Sequence, residues 1–228
     1  MAGDLRRVFL QGCARLADEL SNDGFERRRS GQTLVRAVGD LTFEISLGSS
    51  HYNSPDYVAL RIAAQIRSKA LRAWRKKRGD GDARDQVLGC YVGFLLGRDA
   101  SLEWDLGREG SRESQLSDAL ATLRRHVLPH FGRFEDIAGL PHYLAELNLA
   151  WAANLTGPLE FFVARGRADL ARTYVSEIMR VHDITDDELR AGLNGQIPQS
   201  WTPLQRDIAS LAQRYTEIAA GSADSDGA

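Results

Sequence analysis

"VALRIAAQIR", residues 58–67, is the stretch of sequence that decides the fold. Apolar side chains alternate along it with polar or small ones, and a period of two places the two sets on opposite faces of a β-strand. The apolar set consists of Val58, Leu60, Ile62, Ala64 and Ile66. One face of this strand is therefore predicted to be covered, which is typical of an antiparallel sheet packed on one side.

The residues before this strand predict a helix followed by further strands. Residues 4–22 carry apolar side chains at helical spacing, and Asn22-Asp23-Gly24 follows as a helix stop. From Phe25 the period changes to two. Strands are predicted near residues 25–29, 32–38 and 41–47, with Ser30-Gly31 and Gly39-Asp40 as the turns between them. Turns this short join antiparallel neighbours.

The residues after this strand predict the rest of the sheet and then helices. "QVLGCYVGFLLG", residues 86–97, is almost wholly apolar and predicts a central strand, and "SLEWDL", residues 101–106, predicts a half-exposed one. From residue 112 the spacing is helical. Pro129 is predicted to interrupt the first of these helices, and Pro158 to lie near the first turn of another.

This order of elements predicts an α+β fold, with an N-terminal helix, an antiparallel sheet of about five to six strands, and a C-terminal helical region. We predict an α+β domain over residues 1–134 and a helical extension packed on it over residues 135–220. The polar segment 221–228 predicts a disordered tail.

Composition limits the classes of function that the chain can serve. The 228 residues carry a formal net charge of −2, and 43% of them are hydrophobic, enough for a substantial core. A near-neutral chain does not coat DNA or a membrane through its overall field. We find no apolar signal core at the N-terminus and no run of about 18 apolar residues, so the sequence predicts a cytoplasmic protein with no membrane partner.

No motif with a specific chemistry is present. The sequence has no Ser nucleophile elbow, no phosphate-binding loop and no dinucleotide fingerprint, so we predict no catalytic residue and no cofactor. Cys13 and Cys90 have neither the spacing of a zinc site nor that of a disulfide framework. Both are interpreted as small apolar side chains of the interior.

Two groups of residues are candidate metal ligands. Glu103 and Asp105 share one face of a predicted strand and could hold a hard cation, but a solvated strand face has the same pattern. The second group pairs side chains one helical turn apart, and its members are His126, His130, His142 and Glu146. Imidazoles near helix ends are more often satisfied by backbone carbonyls, so we predict no metal site.

"LRAWRKKRGD", residues 71–80, is the densest positive segment of the chain. The candidate binding residues in and beside it are Lys69, Arg72, Arg75, Lys76, Lys77 and Arg78. Leu71 and Trp74 are predicted to anchor a short helix over residues 68–78. Three interpretations remain open for its cations: a solvated face balanced by nearby Asp residues, a contact with phosphates, or a contact with an acidic protein surface.

The chain resembles a family of uncharacterised bacterial α+β domains, a domain of unknown function, some members of which look like toxin-immunity or defence-associated proteins. The resemblance spans about residues 5 to 134. It rests on "GFERR", "LTFEISLGSS", "SKALRAWRKKRGD", "LEWDL" and "HVLPHF". It implies a compact protein that acts by binding, and it transfers no catalytic residue.

We therefore predict a non-enzymatic protein–protein interaction module, such as an immunity protein or an accessory subunit of a bacterial conflict or antiphage defence system. The alternative is a nucleic-acid-binding regulator that uses the basic segment 67–78. An enzyme whose site is assembled from distant loops is a third interpretation, because such a site leaves no sequence motif.

Overall fold

The computed structural model of the chain describes residues 2–79, 84–98, 102–147, 152–194 and 202–223. An N-terminal helix leads into a six-stranded antiparallel sheet, and helices follow the sheet. The predicted α+β class is confirmed, and so is the predicted number of strands.

The sheet has the order β1-β2-β3-β4-β5, and β6 pairs antiparallel with β4. The strands are β1 Glu26–Arg27, β2 Thr33–Val38, β3 Leu41–Gly48, β4 Ala59–Ser68, β5 Gln86–Tyr91 and β6 Trp104–Asp105. In the β2–β3 hairpin the pair closest to the turn is Val38 with Leu41. Gly39, between them, has a φ of 60°, a conformation that glycine adopts without strain.

Helices make up most of the remaining described chain. They are α1 Ala2–Leu20, α2 Lys69–Lys77, α3 Val92–Leu95, α4 Glu109–Thr122, α5 Leu128–Arg133, α6 Leu140–Glu146, α7 Ala152–Ala164, α8 Ala168–Val181, α9 Asp186–Leu193 and α10 Pro203–Ala223. Short 3₁₀ and π segments follow α1 and α4. The helices predicted over residues 4–22 and 68–78 are confirmed.

The chain forms two compact units. The first comprises Met1–Arg67 and Gly89–Glu135, and the second comprises Ser68–Leu88 and Asp136–Ala228. The predicted division at residue 134 differs from this one in the segment 68–88, because α2 packs against α7 of the second unit. Of the predicted tail 221–228, the first three residues belong to α10, and residues 224–228 lie outside the described ranges.

The core of the first unit follows the alternation read from the sequence. On β4, Leu60, Ile62, Ala64 and Ile66 are at most 2% exposed, and the alternate side chains at positions 61, 63 and 65 are half-buried. Phe43 of β3 stacks on Phe131 of α5 with ring centroids 5.0 Å apart. The covered face predicted for residues 58–67 is therefore confirmed.

The apolar segment 86–97 does not form one long strand. β5 ends at Tyr91, and Val92–Leu95 forms a single helical turn whose carbonyl at Gly93 accepts bonds from Leu96 and Arg98. The predicted extent of this strand is wrong, because a continuous apolar run has no period that separates strand from helix. The strand predicted in "SLEWDL" is likewise reduced to the two residues of β6.

Two prolines lie inside helical segments rather than at their ends. A π-helical turn over Leu123–Val127 precedes α5, and Pro129 then occupies the first turn of α5. The π turn bonds the Leu128 amide to the Leu123 carbonyl, so the chain continues past a residue that has no amide hydrogen. Pro158 lies inside α7, which begins at Ala152, so its predicted place near a helix start is wrong.

Gly157 of α7 lies against the backbone of β5, and we expect Gly157→Ala to lower the free energy of unfolding by about 2 to 3 kcal/mol. A Cβ at this position would overlap the carbonyl oxygen of Val87, which belongs to backbone and cannot rotate away. Gly132→Ala is the matched control, because nothing lies within 4 Å of a Cβ there and alanine favours helix. Urea denaturation measures both changes. A Gly157→Ala protein as stable as Gly132→Ala would contradict this packing.

Candidate functional site

α2, the helix that carries the predicted binding residues, begins where β4 ends. Ser68 has an extended backbone, and its hydroxyl oxygen accepts a hydrogen bond from the Leu71 amide at 3.1 Å, which caps the helix. Leu71 is fully buried, and α2 packs against α7 within the second unit. Nine residues give α2 a length of about 13 Å.

Five of the six predicted site residues lie on the exposed surface of α2 and its C-terminal end. They are Lys69, Arg72, Lys76, Lys77 and Arg78. None of them forms an ion pair with another residue in the described part of the chain. This distinguishes them from Arg7 of α1 and Arg180 of α8, which pair with carboxylates on their own helix, Asp4 at 3.1 Å and Glu177 at 2.8 Å.

Three of these cations form a stripe along one side of the helix. Lys69, Arg72 and Lys76 are spaced by three and four residues, which brings like charges together on adjacent turns. The first turn contains no acidic residue, so Lys69 faces the positive end of the helix dipole without compensation. The charges of this stripe therefore destabilise α2.

Arg75, the sixth predicted residue, is turned inward and is not available to a partner. Its side chain is 14% exposed, and its guanidinium contacts Glu160 of α7 at 2.6 and 2.7 Å. A third nitrogen donates to the Arg84 carbonyl at 2.8 Å. Because Glu160 also accepts two bonds from Arg214, at 3.0 and 3.2 Å, the carboxylate joins α2, α7 and α10.

Trp74 is half-buried, whereas the sequence pattern predicts that it anchors the helix together with Leu71. The guanidinium carbon of Arg78 lies 4.9 Å from the centroid of its ring, within cation–π distance. The ring face under Arg78 is thus occupied, and the anchoring of α2 depends on Leu71 and on the Arg75–Glu160 ion pair.

The two carboxylates considered for a hard cation are engaged within the first unit. Glu103 accepts hydrogen bonds from the hydroxyl of Tyr57 and the guanidinium of Arg61. The bond to Glu103 raises the pKa of Tyr57 to about 12. Asp105 accepts from the backbone amides of Val58 at 3.0 Å and Gly107 at 2.8 Å. These hydrogen bonds hold β4 and β6 together. The carboxylate oxygens that would coordinate a cation accept hydrogen bonds from the protein instead.

The four residues of the second candidate metal group are divided between the two units. His126 and His130 belong to the first unit, and His142 and Glu146 to the second. His142 contacts Glu146 and Glu177, each at 3.1 Å. Across the described ranges, no three His, Cys, Asp or Glu side chains are arranged to hold a metal ion.

Both cysteines are poor nucleophiles. Burial raises the pKa of each thiol to about 12, so the reactive thiolate is scarce at neutral pH. Cys13 is fully buried, in agreement with its interpretation as an apolar side chain, and Cys90 is half-buried.

Glu160 is the residue that sequence reasoning missed. It is 4% exposed and stands in "PLEFFV", where it is the one charged side chain in an apolar helical run. An isolated acid in such a run signals a buried ion pair, because a charge inside a protein requires a partner. Its partner could not be read from the sequence, since Arg75 precedes it by 85 residues.

Comparison of the chain with protein-family models, curated proteins and solved structures finds no match. The resemblance based on residues 5–134 therefore stays a prediction. None of the described helices combines the length and the apolar character needed to cross a membrane.

Proposed function

We propose that this chain is a non-enzymatic binding protein that holds an acidic surface of a protein partner on the exposed cations of α2. The observation that carries the proposal is the stripe Lys69, Arg72 and Lys76, which has no counter-charge in the described part of the chain. These charges repel one another and oppose the helix dipole at Lys69. A partner that supplies carboxylates would offset both effects.

Part of the positive charge of α2 has a simpler explanation. Lys76 and Lys77 lie in the last turn, where cations stabilise a helix through its dipole. The same argument fails for Lys69 and Arg72 at the other end of the helix. The proposal therefore assigns the central role to the N-terminal half of the stripe.

A protein surface fits α2 better than a nucleic acid does. The helix presents about 13 Å of charged surface, while non-specific nucleic-acid binding commonly uses a longer basic groove with free aromatic faces. Trp74 is half-buried and is covered on one face by Arg78. The chain as a whole carries a net charge of −2, which opposes a polyanion away from α2.

The role that agrees with the family resemblance is that of an immunity protein or an accessory subunit of a bacterial conflict or antiphage defence system. Such proteins act by masking or recruiting a partner, and a compact charged surface on a rigid helix is suited to that task. The Arg75–Glu160 ion pair supports this role by holding α2 in one position.

We expect the double variant Lys69→Glu, Arg72→Glu to lose at least about 90% of partner capture, because it removes two contacts and adds two repulsive charges. The same variant should melt at the wild-type temperature or slightly above it, since glutamate at the start of a helix is stabilising by about 0.3 to 1 kcal/mol. Quantitative affinity purification from the native host, followed by a thermal melt, measures both quantities.

Arg190→Glu is the control for this variant, because Arg190 is a cation on another helix whose side chain is 70% exposed. Its partner capture should equal that of the wild type. Capture that survives in Lys69→Glu, Arg72→Glu, or that falls equally in the control, would contradict the assignment of the contact to α2.

The alternative of nucleic-acid binding rests on the same stripe and makes a different prediction. Neutralising several phosphates releases counterions, so the affinity would fall steeply as salt concentration rises. A gel-shift titration with duplex DNA and single-stranded RNA at low salt measures this directly. We expect no shift. A shift abolished by Lys69→Glu, Arg72→Glu would favour the regulator over the protein-binding module.

A further inference from the structure

An open cavity of about 430 Å³ lies in the first unit, between α1 and the loop that follows β3. It is lined by Phe9 and Arg6 of α1, by Gln32, and by the loop residues Ser50, His51 and Asn53, among others. Its volume is within the range of about 300 to 1,000 Å³ that small-molecule sites occupy. The cavity does not include α2, so the inference drawn from it is independent of the proposed function.

The loop that forms one wall is held in place by its own polar side chains. The Asn53 amide donates to the Ser49 hydroxyl at 2.7 Å and accepts from the Ala59 amide at 3.0 Å. Ser49 donates in turn to the Ala59 carbonyl at 3.1 Å. Ser50, which is 9% exposed, accepts from the amide of Tyr52 at 3.1 Å. Because these hydrogen bonds already hold the loop, a ligand would bind without the entropy cost of ordering it.

Three other polar side chains at the cavity are not held by hydrogen bonds of this kind. The side chains of Arg6, Gln32 and His51 form no hydrogen bond or ion pair with the rest of the described chain. They contribute one permanent cation, one amide and one imidazole. None of the residues that line the cavity is acidic, so the site is suited to an anion.

The cavity also offers surfaces on which a planar ring can pack. The His51 ring lies against that of Tyr52, with centroids 3.8 Å apart, and Tyr52 is 76% exposed. Phe9, 3% exposed, provides an apolar floor. The two rings are tilted by 41° and in close contact. Aromatic and imidazole rings of this kind are surfaces on which nucleobases stack.

We propose that this cavity binds a nucleoside monophosphate, with its phosphate on Arg6 and its base against His51. The guanidinium of Arg6 matches the geometry of a phosphate group. The amide of Gln32 can pair with polar atoms of the base or the ribose. A nucleotide would contact Phe9 and the rings of His51 and Tyr52 in addition to Arg6, whereas inorganic phosphate would contact Arg6 alone. The cavity should therefore bind the nucleotide more tightly.

The test is isothermal titration of the full-length protein with AMP, GMP, CMP and UMP, with the four matching nucleosides, and with inorganic phosphate. We expect at least one nucleotide to bind with a dissociation constant below about 1 mM, and its nucleoside to bind at least about tenfold more weakly. Inorganic phosphate should also be at least about tenfold weaker than that nucleotide. Phosphate that binds as tightly as the nucleotide would overturn the role of the rings.

Two matched arginine variants test whether the nucleotide binds in this cavity. Arg6→Ala should weaken nucleotide binding at least about tenfold, because it removes the charge-assisted contact to the phosphate. Arg7→Ala, the neighbour on the same helix, should bind as the wild type does, since Arg7 does not line the cavity and its side chain is 69% exposed. No binding by any of the four nucleotides at about 1 mM, or equal affinity in Arg6→Ala and wild type, would overturn the proposal.

Discussion

Replacing Glu160 by glutamine is expected to lower the free energy of unfolding by about 3 to 5 kcal/mol. The Glu160 side chain is 6% exposed, and it balances Arg75, whose side chain is 14% exposed. Glutamine keeps the shape of the side chain and removes its charge. The guanidinium of Arg75 would then be left inside the protein without a counter-charge, and this uncompensated burial dominates the loss.

Urea denaturation of the variant measures this loss, and Asp187→Asn is the matched control. Asp187 pairs with Arg190 at 2.8 Å, but the two side chains are 90% and 70% exposed. Removing such a surface pair should cost less than about 0.5 kcal/mol. The double variant Arg75→Met, Glu160→Met should lose less stability than the sum of the two single variants, because Arg75, the more buried of the two arginines that contact Glu160, is not left as an unpaired charge. Equal losses in Glu160→Gln and Asp187→Asn would contradict the ion-pair account.

Acidification from pH 6.5 to pH 4 is expected to remove up to about 3 kcal/mol of stability through His130 alone. Burial lowers the pKa of His130 to about 4, below the ordinary value of 6.5 that it has in the unfolded chain. Between these values the unfolded chain binds a proton that the folded chain does not. The contribution of His130 is therefore complete above pH 6.5 and is lost as the pH falls towards 4.

The variant His130→Gln isolates this effect, since glutamine does not titrate and can still form hydrogen bonds. The stabilities of wild type and variant should differ in slope between pH 6.5 and 4, and the variant should show the shallower slope. Identical slopes in His130→Gln and wild type would contradict the lowered pKa of His130 in the folded protein.

The parts of the structure with a clear sequence period were predictable. The alternation over residues 58–67 predicts the covered face of β4, and a period of two predicts the β2–β3 hairpin. Apart from Arg75, the cations of α2 were predictable as exposed side chains for the same reason, because Leu71 marks the buried side of the helix. A local pattern suffices wherever burial on one side determines the structure.

The remaining features depend on residues that are distant in sequence. Arg75 differs from the other cations of α2 in its ion pair with Glu160, and nothing local to either residue predicts that they meet. Pro158 lies inside α7, and its place in the helix was not apparent from the short apolar run around it. The cavity beside α1 combines residues 6, 32 and 51, which come from three separate segments of the chain.

The binding surface on α2 is tested most directly by a photo-reactive amino acid placed at position 73 of the full-length protein in its native host. Ala73 is an exposed neighbour of the stripe, so all three cations stay in place. The account predicts a single protein adduct at this position, joined through a segment rich in Asp and Glu and lost as salt concentration rises. The same amino acid at position 190 should give no such adduct. No adduct at position 73, the same adduct at both positions, or an adduct with nucleic acid would contradict the account.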